Sequence, residues 1–489
     1  MIDVLFSHSY YYQMDPKQWE IGMPYPPLGT IYAASFLREN NVQVSLFDVG
    51  LREGPAEIVP VLKEMKPKFL VLYDDGFNYL TKMCLTNMRE AAFEMIRIAK
   101  AEGCTVIVSS SDSTDHFAHY IQKGADVVLL GEGEISLLET INQLKQNATL
   151  ETVQGIAYSY KGEVKNNGRR PVIRDLDTLP QPAWDLIDVE AYKRAWTSKL
   201  PFALNIATTR GCPYKCNWCA KPIYGNRYNS RSPERVVQEI KLLVESHGVT
   251  NFWMCDDIFG LKPNWVQNFD LLLKEESIKI EFKIQSRADL LLKENTIDAL
   301  VSSGLREVWL GAESGSQSIL DAMDKGTTIY QIEESTKLLQ QKGVRVAFFI
   351  QYGYLGETKE DINKTIDLIK RAKPDDIGIS VSYPLPGTKF YETVKAQLTD
   401  KKNWTDSNDL AMMFSGTFNQ NFYKKLHSYT HKIFQRTKGV QALKKGLKTP
   451  KEFSKNQLKL IGKLPYNWIM GVKEGRQLAK MENSNESRF

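Results

Sequence analysis

Long hydrophobic runs are missing from this 489-residue chain. No uncharged apolar stretch reaches the 18 or so residues that a transmembrane helix needs. Internal repeats and long low-complexity tracts are absent as well. The opening segment MIDVLFSHSYYYQMDPK has neither a basic n-region nor a small-residue cleavage site, so it does not read as a signal peptide. Cysteine is scarce, six in all with three clustered. That usage fits a reducing compartment and a metal better than a disulfide framework, and the expected location is the cytoplasm. Hydrophobic residues at 42% and charged residues at 25% are ordinary for globular protein and exclude a disordered or collagenous chain. The length allows about three domains.

Charge is spread unevenly. The net value of +5 combines residues 421–480, where fifteen Lys/Arg face only Glu452 and Glu474, with a remainder that is net acidic.

From 2 to 130, short β-branched runs (2–7, 43–48, 69–73, 105–109, 126–130) alternate with amphipathic stretches such as 28–40 and 83–102. Strands alternating with helices predict a parallel sheet covered on both faces, with any ligand beyond the carboxyl ends of the strands. Residues 145–195 change character: a hairpin with its turn near Lys161–Gly162, then Pro180 and Pro182, reads as a linker. A second alternation follows, with strands expected at 203–208, 251–255, 280–286, 307–311, 345–350 and 377–382 and helices such as 233–247, 264–275, 293–303 and 329–342. Six βα units predict a partial or full parallel barrel with its chemistry at the C-terminal strand ends. The expected domains are 1–144, 145–195 as linker, 196–400, and a basic helical region over 401–489. The fold class is α/β: a doubly wound Rossmann-like sheet, a partial (β/α)6 barrel, then helices.

The segment RGCPYKCNWCAKP sets Cys212, Cys216 and Cys219 in a CxxxCxxC spacing after the first barrel strand. Gly211 and Pro213 disfavour a continuous helix, so the backbone can wrap three thiolates around one centre. Three sulfurs without a nearby fourth ligand make a poor closed zinc site. They suit a four-iron cubane that leaves one iron open. Cys84, Cys104 and Cys255 are scattered and read as packing residues.

This motif in this position resembles the radical S-adenosylmethionine (SAM) superfamily over roughly residues 200–390. The resemblance implies a [4Fe–4S] cluster on the three cysteines whose open iron chelates SAM. It also implies reductive cleavage of SAM to a 5′-deoxyadenosyl radical, and an electron donor such as flavodoxin or ferredoxin. It further implies cofactor contacts from Trp218 beside the last cysteine, Asp256 and Asp257 in MCDDIF, Ser286 and Arg287 in QSRAD, and Glu313 in GAESG, the last to ribose hydroxyls. IQYGYLGET and YPLPGTKFYE resemble the endings of the fifth and sixth strands. Relatives commonly have Gly-Leu-Pro-Gly before GET; this chain has Tyr352, Gly353, Tyr354, Leu355 and Gly356, and the two tyrosines either face substrate or pack.

PYPPLGTIYAASFLRENNVQVSLFD (24–48) with GADVVLLGEGE (124–134) resembles the cobalamin-binding domain fused to many radical SAM enzymes. On that resemblance Gly29 opens the first helix toward the corrin or its tail. Ser109 and Ser110 after the fourth strand, and Gly131, Glu132 and Gly133 after the fifth, approach the ligand, while 73–84 covers one face. No DxHxxG sequence occurs, so a histidine lower ligand is not indicated; His116 and His119 read as surface or packing residues. The layout also resembles the anaerobic magnesium-protoporphyrin monomethyl ester cyclases, which oxidise rather than methylate. Three functions follow. The first is cobalamin-assisted methylation of an unactivated carbon in a small or lipid-like metabolite. The second is radical oxidation, cyclisation or rearrangement without methyl transfer. The third is non-catalytic cobalamin or iron–sulfur binding and sensing. The catalytic group for substrate is not named by any motif. The basic, aromatic segment 421–480 reads as a solvated helical face, an anionic-membrane contact, or a surface for an acidic partner; no RNA-binding module is recognisable, and nucleic acid is the least favoured partner.

Overall fold

The computed structural model describes residues 2–77, 85–398, 410, 412–448 and 454–483. Cys84, most of the expected cobalamin cover at 73–84 and Phe453 lie outside these. The chain forms two compact units, one built from 1–213 and 221–282, the other from 214–220 and the described residues from 283 onward.

In the first unit, β1 (Val4–Ser7), β2 (Val44–Leu46), β3 (Phe69–Tyr73), β4 (Thr105–Ser109) and β5 (Val127–Leu129) are parallel, in the order β2-β1-β3-β4-β5. The alternation of side chains decides which face each residue fills. Leu5, Leu70, Leu72, Val106 and Val108 pack under the helix Thr86–Ala101. Val4, Phe6, Phe69, Val71 and Ile107 face the opposite way, onto Leu28–Glu39 and Glu134–Lys145. Helices on both sides make the sheet doubly wound. The hairpin anticipated at Lys161–Gly162 is present, with both turn residues at positive φ (52° and 82°) as a tight two-residue turn requires. Its strands, β6 (Ile156–Tyr160) and β7 (Glu163–Asn166), extend the sheet antiparallel beyond β5.

The same unit holds the start of the barrel. β8 (Leu204–Ile206) is followed by a two-residue strand β9 (Thr209–Arg210), which pairs antiparallel with β10 (Asn229–Ser230). The helix Pro233–His247 has Ser232 as N-cap, Pro233 in its first turn and Gly248 in the left-handed conformation at its end. It leads to β11 (Asn251–Met254), parallel to β8, and then to β12 (Glu281–Ser286). Arg231, buried, pairs with Glu239 at 2.5 Å, and Glu239 also accepts from the Trp184 indole at 2.9 Å.

The chain enters the second unit within β12. There β13 (Leu305–Glu313), β14 (Arg345–Tyr352) and β15 (Asp376–Val381) continue in chain order, all parallel. The six strands lie where the sequence pattern put them, differing only at their ends. Trp309 and Phe349 meet on one sheet face with ring centroids 4.8 Å apart, and Gly378 leaves the room they need, since a Cβ there would sit 3.2 Å from the indole. Gly315 is equally constrained: a Cβ would fall 2.3 Å from the Lys364 carbonyl of the helix Lys359–Ala372. Past the barrel, Gln420–Lys448, Lys455–Gly462 and Leu464–Asn483 are helical. The last buries Asn467, Gly471, Glu474 and Leu478, one helical stripe. Among the described residues no helix is long and apolar enough to cross a membrane.

Removing one partner of a buried ion pair leaves the other charge uncompensated, at about 3–5 kcal/mol. Glu239→Ala should lower the stability of the first unit by that order, read as a shift in its denaturant midpoint.

Candidate active site

Within the first unit the approach to the cysteines is fixed by one buried cation. Arg210, immediately before Gly211 and Cys212, donates to Glu132 at 2.6 Å and to Glu134 at 2.7 Å. All three side chains are at most 5% exposed. The rings of Tyr32, Phe77 and Tyr224 surround the guanidinium at 5.3–5.6 Å. Such contacts replace lost hydration with carboxylate and ring charge. Burial pushes the Glu132 carboxyl up, against the pull of Arg210. Gly211 has φ +78°, and a Cβ there would lie 2.3 Å from the Arg227 carbonyl, so the turn into the cysteine loop admits only glycine.

The expected Asp256–Asp257 pair is divided. Asp256 is buried and accepts from the Thr208 amide (2.7 Å), the Thr208 hydroxyl (2.5 Å) and the Thr209 amide (2.8 Å), which ties down the chain between β8 and β9. Burial raises its carboxyl to about 6. Asp257, next along, is exposed. At the sheet, Gly29 donates its amide to Asp75 at 3.1 Å, and a Cβ would press on the backbone of Asp75 and Gly76, so the helix N-terminus is met by a carboxylate of the protein itself. Ser109 is buried at the end of β4 with its carbonyl accepting from Asp74, and Ser110 caps a short helix reciprocally with Ser113. Gly131 donates to the Thr114 hydroxyl, and Gly133 packs on the Tyr73 ring. Glu132 is committed to Arg210.

In the second unit Cys216 and Cys219 sit in a turn closed by a 3.2 Å bond from the Cys219 amide to the Cys216 carbonyl, both half-buried. Asn217 anchors this turn. Its amide donates to the Met323 carbonyl, its side-chain nitrogen to the Ala322 carbonyl, its side-chain oxygen accepts from Tyr354, and its carbonyl accepts from the Phe390 amide. Trp218 packs against Met323, Tyr354 and Phe390. Arg287 reaches the Cys216 sulfur at 3.9 Å, stacks over Tyr214 at 3.7 Å and is held by Asp289 at 2.9 Å. Ser286 beside it is buried. Glu313 follows a bulge in β13 at φ +58°, an uncommon conformation for a residue with a side chain, and its carboxylate is paired with Lys325 at 2.8 Å. Burial works to lower the Lys325 ammonium, but Glu313 and Cys216 outweigh it and hold it above the usual range.

Sequence reasoning did not pick out Arg210, Asn217, Tyr214 or Lys325. Arg210 and Asn217 adjoin motif cysteines, a signal that was available; nothing around Lys325 marks it. The two tyrosines before GET pack: Tyr354 holds Asn217, and Tyr352 meets the Thr430 hydroxyl at 3.1 Å. Glu357 of GET accepts from the Gly353 amide at 2.6 Å, while its Oε1 is buried and has no hydrogen-bond partner among the described residues. Burial pushes its carboxyl up from 4.5 to about 8. Folding therefore favours the neutral acid, so the contribution is full below pH 4.5 and is lost as pH rises through 8. Glu357→Gln keeps the Gly353 bond and should flatten that loss, which denaturant midpoints of both proteins at pH 5 and pH 9 would reveal.

Parallel βα units, a CxxxCxxC loop after the first strand, and Arg287, Lys325 and Glu313 gathered at the strand ends define a radical SAM domain. Residues 206–369 match the radical SAM superfamily, so the chain is an enzyme that carries a radical SAM domain over that stretch. It is 28% identical over 392 residues to an uncharacterized methyltransferase of Pyrococcus horikoshii, covering 78% of this chain and 82% of that one. It is 26% identical over 397 residues to the anaerobic magnesium-protoporphyrin IX monomethyl ester cyclase of Rubrivivax gelatinosus, covering 80% and 69%. Its fold is that of the cobalamin-dependent SAM radical enzyme OxsB, solved with aqua-cobalamin bound: TM-score 0.74 at 18% identity, covering 97% of this chain and 72% of that chain.

Proposed function

We propose that Cys212, Cys216 and Cys219 hold a [4Fe–4S] cluster, that the first sheet holds cobalamin, and that the enzyme methylates an unactivated carbon of a small or lipid-like metabolite. The observation that carries this reading is the cysteine turn with cationic Arg287 at 3.9 Å from the Cys216 sulfur. That is the environment a thiolate ligand needs. When bound, the cluster supplies the electron that cleaves SAM to a 5′-deoxyadenosyl radical, and cobalamin supplies a transferable methyl group.

The chain's own part is positioning. Arg287 balances negative charge on the thiolate. Asn217 and Tyr354 fix the turn. Trp218 and its apolar neighbours exclude water from one side. Lys325 and Glu313, paired and buried, present one donor and one acceptor system to a polar ligand at the end of β13. The match to the cyclase over 80% of the chain favours a second reading, oxidation or cyclisation without methyl transfer. Isotopically labelled SAM methyl appearing in product would decide for methylation.

Two partners complete the proposal. A flavodoxin- or ferredoxin-type donor supplies electrons, and the C-terminal helices rest on an anionic membrane surface. Leu447, Tyr466, Trp468 and Ile469 are more than half exposed there, among the lysines that make 421–480 basic.

Anaerobic reconstitution should give about four irons per chain and bind hydroxocobalamin. Cys216→Ala should lose most of the iron and all SAM cleavage; full iron and turnover in that variant would sink the assignment. Sedimentation with phosphatidylglycerol vesicles but not phosphatidylcholine vesicles, abolished by Trp468→Ser with Ile469→Ser, is the expected outcome for the membrane contact.

A further inference from the structure

A cavity of about 720 Å³ lies wholly within the first unit, between Leu130–Gly131 beyond β5, the segment 169–174 and the loop 223–229. That size is in the range of small-molecule sites, roughly 300–1,000 Å³. Four arginines line it, Arg169, Arg170, Arg174 and Arg227, and no described lining residue is acidic. Two of them are engaged. Arg169 donates to the Pro222 carbonyl at 2.9 Å and lies 3.7 Å from Asp115. Arg170 pairs with Glu139 and donates to Ser136. Arg174 and Arg227 are exposed and have no hydrogen bond or ion pair among the described residues.

Guanidinium groups that share one space repel each other, and two of these four lack a local counter-charge. An anion in the cavity removes that repulsion, and the planar N–H fork of arginine matches phosphate and carboxylate oxygens in pairs. Tyr228 and Asn229 add polar groups to the wall. The position is as telling as the charge. Pro213, which directly follows Cys212, lines the cavity. The wall is also closely set, because Gly131 has φ +88° and a Cβ on it would lie 3.2 Å from the Ile223 carbonyl.

We infer that this cavity binds an organic anion bearing phosphate or carboxylate groups, beside the root of the cysteine loop. The inference goes beyond the proposed reaction, and only its cofactor source rests on the proposed cobalamin reading, since Gly131 lines the same cavity. The anion has two chemical sources: a substrate's acidic group, or the phosphodiester in the nucleotide tail of cobalamin.

Calorimetric titration of the full-length protein with inorganic pyrophosphate, without and with hydroxocobalamin loaded, tests it. Binding should saturate at one site per chain. In the double variant Arg174→Gln/Arg227→Gln it should weaken by about tenfold or more, the order expected for lost charge-assisted hydrogen bonds. Both side chains are exposed and unpaired, so the variant's melting curve should match the wild type. Arg174→Lys/Arg227→Lys should recover part of the affinity. Pyrophosphate binding that survives cobalamin loading assigns the site to a substrate-type anion. Binding lost on loading, with cobalamin itself weakened in the double variant, assigns it to the cofactor's phosphodiester. Equal affinity in wild type and double variant, or no saturable binding in the cobalamin-free protein, overturns the inference.

Discussion

The cysteine loop of this protein starts from a charge that water cannot reach. Arg210 is locked between Glu132 and Glu134 and walled by three aromatic rings, and the next two residues are the glycine and cysteine that open the motif. The glutamates follow β5 of the parallel sheet, Glu132 in the loop and Glu134 at the start of the helix Glu134–Lys145, so the sheet and the first motif cysteine share one electrostatic joint. A guanidinium without its carboxylates would be prohibitively costly in that setting. The geometry of the loop is therefore inherited from the sheet's own packing. Gly211 then makes the turn that the Arg227 carbonyl would deny to any side chain.

The second unit uses the same logic at a different scale. Asn217, a neutral residue between two motif positions, makes five hydrogen bonds to its surroundings among the described residues, one of them with Tyr354. Tyr354 donates to the Asn217 side-chain oxygen at 2.7 Å, so its ring belongs to the packing of the cysteine turn. Around this anchored turn, Arg287 and Lys325 put positive charge close to Cys216, each neutralised on its far side by Asp289 or Glu313. The arrangement places cationic groups near Cys216 while each keeps a carboxylate partner.

How much of this could be read from residues alone follows a physical divide. Periodicity placed both sheets and nearly every strand, because the side-chain alternation of β1, β3 and β4 fills two different cores and leaves little choice of register. The cysteine spacing and the strand-end fragments were legible since they are local. Long-range pairing was not. Glu132 and Gly29 stand at expected ligand positions, yet one carboxylate goes to Arg210, 78 positions away, and one amide to Asp75, 46 positions away. Asp256 likewise secures the backbone of Thr208 and Thr209. No short-range pattern carries such information. The arginine-lined cavity, assembled from three separated segments, was invisible for the same reason.

The route of the chain has a consequence for how the protein is made. Residues 214–220, which carry Cys216 and Cys219, fold into the second unit, whereas Cys212 belongs to the first. Synthesis runs from the N-terminus at about 5–20 residues per second. The residues that hold Asn217, namely Ala322, Met323, Tyr354 and Phe390, leave the ribosome well after the thiols do. The surroundings of Cys216 and Cys219 are therefore complete only once the second unit has been translated.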